Sequence, residues 1–217
     1  MLYGTVPSTV ITCSPRLNSE YLSSCRTLLA HFSQKVFIWM IGIMSFIVNI
    51  AVVSQTYTAK SLAVIPNFLI RNLAISDFLM SLYLLIIAVN DLIYSDGRYG
   101  IKSEQWLTSP FCILACVLVI ISNLTSVLFM VVISIDRYNC IVHPFSTKNL
   151  QLRQFKFLTG TIWVTSIIFC FIPIALGIGR SGSERIYRYS SICLPNNYDV
   201  LSYKIWMLFY LITTVVA

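Results

Sequence analysis

Residues 105–135 read QWLTSPFCILACVLVIISNLTSVLFMVVISI, and the stretch contains no Asp, Glu, Lys or Arg. About 20 consecutive apolar residues in a helix are enough to cross the hydrocarbon layer of a bilayer, which is about 30 Å thick. The stretch is therefore long enough to span a membrane. A helix is the expected form, because lipid-exposed backbone must satisfy its own hydrogen bonds and the stretch lacks the alternation of barrel strands.

Further stretches of the same kind lie on both sides of it. Residues 36–59 and 157–179 are also uncharged, residues 67–90 are interrupted only by Arg71 and Asp77, and a last apolar run begins at Ile205. The sequence predicts an all-α membrane protein, a partial helix bundle with four complete helices and a truncated fifth. The predicted bounds are about 36–57, 67–90, 110–139, 157–179 and 205–217, preceded by a tail at 1–35. The alternative is a complete small membrane protein whose first helix is its own insertion signal, which leaves the short fifth run unexplained.

The composition excludes several classes of function. Hydrophobic residues make up 57% of the chain and charged residues 11%, against about 25% charged in an average soluble domain, so the lipid bilayer is the expected solvent. The net charge of +7 does not indicate nucleic-acid binding, because membrane spans divide the basic residues and no continuous basic face can form. Neither H-E-x-x-H nor G-x-S-x-G occurs, and no catalytic residues are predicted.

The orientation in the membrane is predicted from cysteines rather than from positive charge. With the tail outside, six of the fifteen basic residues lie inside and nine outside, so the positive-inside rule does not support this orientation. However, Cys13, Cys25, Cys112 and Cys193 then all face the oxidising side, where they can pair. We therefore expect an extracellular N-terminus.

Asp77 is the acidic residue within a predicted span. A carboxylate there costs at least about 2.5–3.5 kcal/mol unless it faces the bundle interior or water. Asn49 in the first helix and Ser126 in the third are the candidate polar partners. The alternatives are a protonated, purely structural carboxyl group and an ion path of a transporter or channel.

The uncharged stretch 105–135 ends at Asp136-Arg137-Tyr138, and His143-Pro144-Phe145 follows. An acid and a base at a helix end are usually a solvated interfacial pair. Further pieces occur in order along the chain: Val48-Asn49, Asn72-Leu-Ala-Ile-Ser-Asp77, Cys112, Trp163, Pro173 and Cys193. Together they resemble the rhodopsin-like (class A) G-protein-coupled receptors. Val48 departs from the glycine that the family often has there.

Within that family the chain is most similar to the leucine-rich-repeat-containing receptors of the relaxin and glycoprotein-hormone type. Cys13-Ser-Pro15 and Cys25 resemble the hinge before their first helix, and Cys193-Leu-Pro195 resembles their second outer loop. Asp136-Arg-Tyr138 is nearer to the general family than to the variants common in this group.

The resemblance implies a set of contacts. Cys112 and Cys193 are expected to form a disulfide, and Cys13 and Cys25 to pair with each other or with upstream partners. Asp77, Asn49 and Ser126 are expected to converge on one polar pocket, which in the family can hold a sodium ion; no other cofactor is expected. The side chain of Asn72 is expected to meet the indole N–H of Trp163.

The resemblance also implies a function. We expect a receptor of the plasma membrane that transmits the signal of an extracellular peptide or protein hormone to a heterotrimeric G protein. Asp136, Arg137, Tyr138, Pro144 and Phe145 would serve coupling and activation, with Asp136 restraining Arg137 at rest. An amine ligand is not expected, because Val119 lies where amine receptors of the family place an aspartate. Residues 1–217 end before a sixth helix and are expected to insert without signalling.

Overall fold

The computed structural model describes residues 28–29, 31–58, 64–94, 105–142, 152–177, 192–194 and 201–216. They form five helices, which we number in chain order: α1 (Phe32–Thr58), α2 (Val64–Ile93), α3 (Pro110–Val142), α4 (Leu152–Gly177) and α5 (Leu201–Val216). No strand occurs in these ranges, which confirms the predicted all-α class. The first four helices are long and apolar enough to cross a membrane.

The predicted helix bounds were too short at several ends. α1 begins at Phe32 rather than 36, so its first turn includes Lys35, and α2 extends to Ile93 and includes Asp91. α4 begins at Leu152, before the predicted 157, and ends at Gly177. The physical reason is that a charged residue ends an apolar run without ending a helix. Long basic side chains can extend toward water from a helix end.

Consecutive helices pack side by side: α1 on α2, α2 on α3, and α3 on α4, with α2 also touching α4. Gly42 allows α1 and α2 to approach closely, because a Cβ atom built there would lie 3.3 Å from the Leu85 side chain. The rings of Phe46 and Phe78 meet nearby at 5.2 Å. Small residues at such positions are a usual means of close helix packing in membranes.

α5 packs against α3 and α4 through aromatic side chains. Phe169, Trp206 and Tyr210 form a stack with ring centroids 5.3 to 6.3 Å apart. The Trp206 indole N–H donates to the Phe169 carbonyl at 3.3 Å. This bond satisfies a buried polar group that lipid could not serve.

The polar residues inside the bundle are mainly small hydroxyl side chains. Ser76, Ser81, Ser122 and Thr125 are fully buried. Ser81, Ser122 and Thr125 donate to carbonyls of their own helices at 2.6 to 3.2 Å. The outward faces instead carry large apolar residues such as Phe37 and Phe157, as expected of helices surrounded by lipid.

Candidate functional site

The start of α3 is tied covalently to the segment 192–194. Cys112 and Cys193 form a disulfide, and both residues are fully buried. The Tyr83 hydroxyl of α2 donates to the Ile192 carbonyl at 3.0 Å. The predicted disulfide is thus confirmed, and a hydrogen bond from a third element fixes the same segment.

A buried carboxylate, Asp91, holds the residues before α1 against this end of the bundle. The Leu29 backbone N–H donates to Asp91 Oδ1 at 3.0 Å, and Lys35 Nζ lies 3.0 Å from Oδ2. Asp91 is only 2% exposed, and Leu28 and Leu29 are buried beside the disulfide in the same apolar cluster. The residues preceding α1 therefore form part of the packed bundle end.

Sequence reasoning missed Asp91, which it assigned to an outer loop. The available signal was helical spacing: Asp91 lies four residues after Ile87, which lies four residues after Tyr83, and all three are buried. Residues four apart share a helix face. Continuing this four-residue spacing beyond the end of the apolar run places the Asp91 carboxylate on the buried face of the helix.

A chain of hydroxyl groups joins α2 to α3 in the middle of the bundle. Ser126 Oγ donates to Asp77 Oδ1 at 2.7 Å, and Ser76 Oγ lies 2.8 Å from Ser126 Oγ. Asp77 is half-buried and Ser76 fully buried. The intramembrane carboxylate thus faces another helix rather than lipid.

Asn49 does not join this chain by a hydrogen bond: within the described residues, its amide has its partners on α1. Its amide donates to the Ser45 carbonyl at 2.8 Å and approaches the Ser45 hydroxyl at 3.0 Å, both within α1. Ser45 lies one turn earlier and offers a local acceptor, which competes with a partner on another helix. The polar pocket of the described residues therefore consists of Asp77, Ser126 and Ser76.

Asn72 lies beside Trp163, where α2 meets α4. The indole Nε1–H of Trp163 donates to Asn72 Oδ1 at 3.4 Å, at the long end of the hydrogen-bond range. The Asn72 amide donates to the Phe68 carbonyl at 2.8 Å. The structure thus brings the two residues together in the predicted direction of donation.

The opposite end of α3 is less enclosed. Asp136 is half-buried, whereas Arg137 and Tyr138 are exposed. Within the described ranges the recorded ion pair is Lys35–Asp91, so the expected restraint of Arg137 by Asp136 is not present as an ion pair. Pro144, Phe145, Cys13 and Cys25 lie outside the described residues. The guanidinium of Arg137 is therefore presented on the surface of this end.

α3 connects the three regions along a single unbroken helix. Ser126 lies 14 residues after Cys112 and Arg137 lies 11 residues after Ser126, or about 21 Å and about 16 Å along the axis. The disulfide, the polar pocket and the exposed arginine therefore share one rigid element.

The polar pocket has the chemistry of a hard-cation site. A carboxylate oxygen and hydroxyl oxygens are the ligand types that such cations take in proteins. Among the described residues no group of three or more His, Cys, Asp or Glu side chains could hold a metal ion. Asp77 Oδ1 and the hydroxyl oxygens of Ser126 and Ser76 are oxygen atoms of this kind.

Comparison with known proteins gives a consistent result. Residues 48–217 match the family model described as 7 transmembrane receptor (rhodopsin family). G-protein coupled receptor GRL101 of Lymnaea stagnalis is 35% identical over 85% of this chain and 16% of its own length. Relaxin receptor 1 of Homo sapiens is 31% identical over 86% of this chain and 24% of its length. The follicle-stimulating hormone receptor of Felis catus is 28% identical over 95% of this chain and 28% of its length. The chain thus spans less than a third of the length of each of these relatives.

Proposed function

Since the chain belongs to the rhodopsin family of seven-transmembrane receptors, we propose that it transmits the signal of an extracellular hormone to a heterotrimeric G protein. The continuity of α3 carries the proposal, because this one helix holds the buried disulfide at one end and the exposed Arg137 at the other. The family match favours a receptor over the transporter or channel alternative.

The proposed orientation places the disulfide end outside the plasma membrane and the Arg137 end in the cytoplasm. Disulfides persist in oxidising compartments and are rare in the cytosol. Cys112, Cys193 and the buried segment Leu28–Leu29 all lie at the same end of the bundle. An extracellular N-terminus follows.

In this mechanism the ligand shifts the populations of two arrangements of the bundle. A ligand can do so only by its differential affinity for the two states. The hydrogen bond from Ser126 to Asp77 links α3 to α2 between the two ends. A displacement of α3 relative to α2 either keeps this bond or breaks it. We propose that the bond distinguishes the two arrangements.

At the cytoplasmic end, Arg137 is the proposed contact for the G protein. Its exposure leaves the donors of the guanidinium group free to meet carbonyl or carboxylate acceptors of a partner. Asp136 and Tyr138 flank it, and Pro144 with Phe145 would add an apolar contact from the following link. These roles rest on the family resemblance of the motif.

The test is nucleotide exchange on purified heterotrimeric G proteins by membranes containing the receptor that carries this chain. Arg137→Ala is expected to abolish the exchange, while Arg153→Ala, an exposed arginine at the start of α4, leaves it unchanged. Equal exchange by the parent and Arg137→Ala receptors at matched membrane levels would overturn the coupling role.

The proposed ligand is a peptide or protein hormone. Similar chains include receptors named for relaxin, follicle-stimulating hormone and lutropin-choriogonadotropin. α3 has no acid between Cys112 and Ile135, and Val119 is buried, so a cationic amine would lack a carboxylate partner on this helix. Saturable binding of a biogenic amine within the bundle would contradict this assignment.

We also propose that Asp77 and Ser126 hold a sodium ion in one state of the receptor. The ion would neutralise the intramembrane carboxylate, whose charge is otherwise costly in lipid. A cation that binds the folded state raises its stability with concentration. Sodium chloride, compared with choline chloride, should raise the thermal midpoint, and Asp77→Asn should remove the difference.

A further inference from the structure

One side-chain amide of α3 forms its hydrogen bond with α5 rather than within its own helix. The amide of Asn123 donates to the Tyr210 hydroxyl. Three other asparagines of the described helices, Asn49, Asn72 and Asn90, donate to the carbonyl four residues earlier in the same helix at 2.7 to 2.8 Å. Such local bonds compete with partners on other elements. Asn123 therefore differs from these three residues, and its bond joins two helices.

The local acceptor of Asn123 is already in use. The carbonyl four residues earlier belongs to Val119, and the Ser122 hydroxyl donates to this oxygen at 3.2 Å. The Met80 sulfur, 3.5 Å from the same hydroxyl, is the weaker acceptor of the two. A helical carbonyl has two lone pairs, and the backbone N–H four residues later takes one of them. Since Ser122 takes the other, the neighbouring serine favours the bond from Asn123 to Tyr210.

The Tyr210 hydroxyl is held in place by the packing of its ring. The ring stacks on Trp206 with 5.5 Å between the centroids, and it lies 6.3 Å from the ring of Phe169 on α4. The preceding residues of α5, Leu208 and Phe209, are 58% and 60% exposed, so the stacked rings form the inward face of this helix. The Asn123 amide thus meets a hydroxyl whose position depends on α5 being packed against α3 and α4.

The backbone of α5 is loaded at the same residue. The Tyr210 carbonyl accepts the hydroxyl groups of Thr213 at 2.8 Å and of Thr214 at 3.0 Å. Bonds of this kind to the preceding turn slightly destabilise a helix and often bend it. α5 is therefore easier to bend next to the residue whose side chain Asn123 holds.

We propose that the Asn123–Tyr210 hydrogen bond holds α5 against α3 in the inactive arrangement of the bundle, and that Ser122 maintains this bond. A displacement of α5 away from α3 breaks the bond, so the bond favours the packed arrangement over the displaced one. Only an interaction that differs between two arrangements can shift their populations. The proposal rests on the proposed function in one respect, that the displaced arrangement activates the G protein.

The first test is basal nucleotide exchange on a heterotrimeric G protein, measured without hormone, by the receptor that carries this chain at matched membrane levels. A side-chain hydrogen bond between membrane helices shifts an equilibrium about threefold, which is equivalent to about 0.6 kcal/mol. Tyr210→Phe removes the hydroxyl and keeps the ring, so basal nucleotide exchange should rise about threefold.

Ser122→Ala tests the same bond without altering α5. It frees the Val119 carbonyl for the Asn123 amide, so basal nucleotide exchange should rise in the same direction. Because both substitutions release one bond, the double variant Ser122→Ala with Tyr210→Phe should rise no further than Tyr210→Phe alone. A general loss of packing would instead give additive effects.

The controls are a serine and a tyrosine outside this contact. Ser81 is fully buried and donates to the Phe78 carbonyl of its own helix at 2.7 Å, and no asparagine follows it. Tyr57 is 67% exposed on α1. Ser81→Ala and Tyr57→Phe should both leave basal nucleotide exchange at the parent level.

The second test does not depend on a G protein. Hydrogen–deuterium exchange of the receptor in lipid nanodiscs reports local opening of backbone hydrogen bonds. Tyr210→Phe and Ser122→Ala should each accelerate deuterium uptake in residues 207–216 and leave α1 unchanged, and Ser81→Ala should match the parent in both regions. If the parent receptor activates no G protein, the proposed function fails, and deuterium uptake alone decides whether the bond holds α5.

Thermal midpoints show whether each variant folds, and Ser122→Ala, which removes one oxygen atom, serves if Tyr210→Phe does not. Three results would each overturn the proposal. They are unchanged deuterium uptake in α5 of both variants, an equal rise with Ser81→Ala, and additive effects in the double variant. A parent receptor that activates the G protein while Tyr210→Phe and Ser122→Ala leave basal nucleotide exchange unchanged would contradict the role of the bond in signalling.

Discussion

The two ends of the helix bundle differ in how firmly their segments are joined. At one end, a disulfide, the Tyr83–Ile192 hydrogen bond and the buried Asp91 carboxylate fix four separate segments to one another. At the other end, Arg137 and Tyr138 are exposed. The interactions that join segments are covalent or buried, whereas the residues proposed to meet a partner lie at the surface. The difference fits the proposed mechanism, in which the disulfide end stays fixed and the Arg137 end changes.

The largest effect is expected from breaking the disulfide. Cys112→Ser removes a link across a sequence separation of 81 residues, and loss of a native disulfide costs about 2–5 kcal/mol in small secreted domains. We expect a lower thermal midpoint and poor delivery to the cell surface. Cys140→Ser, which alters an exposed free thiol on the same helix, is the control. A similar fall in thermal midpoint and surface delivery for Cys112→Ser and Cys140→Ser would show that the disulfide does not contribute more to stability than a free thiol.

Asp91→Ala should have the second largest effect. The substitution removes the acceptor of the Leu29 N–H and the counter-charge of Lys35. Leaving such groups without partners costs about 1–3 kcal/mol, and the lower part of this range is expected because Lys35 is 26% exposed.

The readout for Asp91→Ala is the thermal midpoint together with protease cleavage near residues 28–29. Asp136→Ala provides the comparison from the other end of the bundle, where no ion pair is recorded among the described residues. If Asp136→Ala destabilised the protein more than Asp91→Ala, the proposed difference between the two ends would be wrong.

A smaller effect is expected at the polar pocket between the two ends. Ser126→Ala removes the hydroxyl that bonds Asp77 and approaches Ser76. Side-chain hydrogen bonds between membrane helices contribute about 0.6 kcal/mol on average. Ser134→Ala, which affects only a bond to the Met130 carbonyl of the same helix, should leave the thermal midpoint unchanged. Equal thermal midpoints for Ser126→Ala and Ser134→Ala would show that the hydrogen bond between α2 and α3 does not stabilise the bundle.

The smallest effect on stability is expected for Arg137→Ala. Arg137 is exposed, and substitutions at such positions usually change stability by less than about 0.5 kcal/mol. The thermal midpoint should therefore stay at the parent value while signalling is lost. A large fall in the midpoint would show that Arg137 holds the fold rather than meeting a partner.

Apolar runs predicted the existence of the helices because a bilayer requires about 20 uncharged residues in a span. The family resemblance identified the disulfide between Cys112 and Cys193. The helix ends were predicted less well, since Lys35 and Asp91 are charged yet helical. Their ion pair joins residues far apart in sequence, so local composition did not reveal it.

The candidate site was predicted only in part, for a similar reason. Asp77 required a polar partner, and Ser126 was found among the polar residues of neighbouring spans. Asn49 was an equally plausible candidate by composition, but its amide bonds to Ser45 within α1. Composition shows which groups can form a hydrogen bond, whereas rotation of each helix about its axis decides which groups meet.

The most direct test of the account uses the exposed free thiol of Cys140, three residues beyond Arg137 on α3. A fluorophore is attached there in the purified receptor carrying this chain, its position is verified by peptide mapping, and heterotrimeric G protein is titrated in lipid nanodiscs. We predict a saturable change in emission that Arg137→Ala removes and Arg153→Ala preserves. No change in the parent, or the same change in Arg137→Ala, would contradict the claim that this end of α3 receives the G protein.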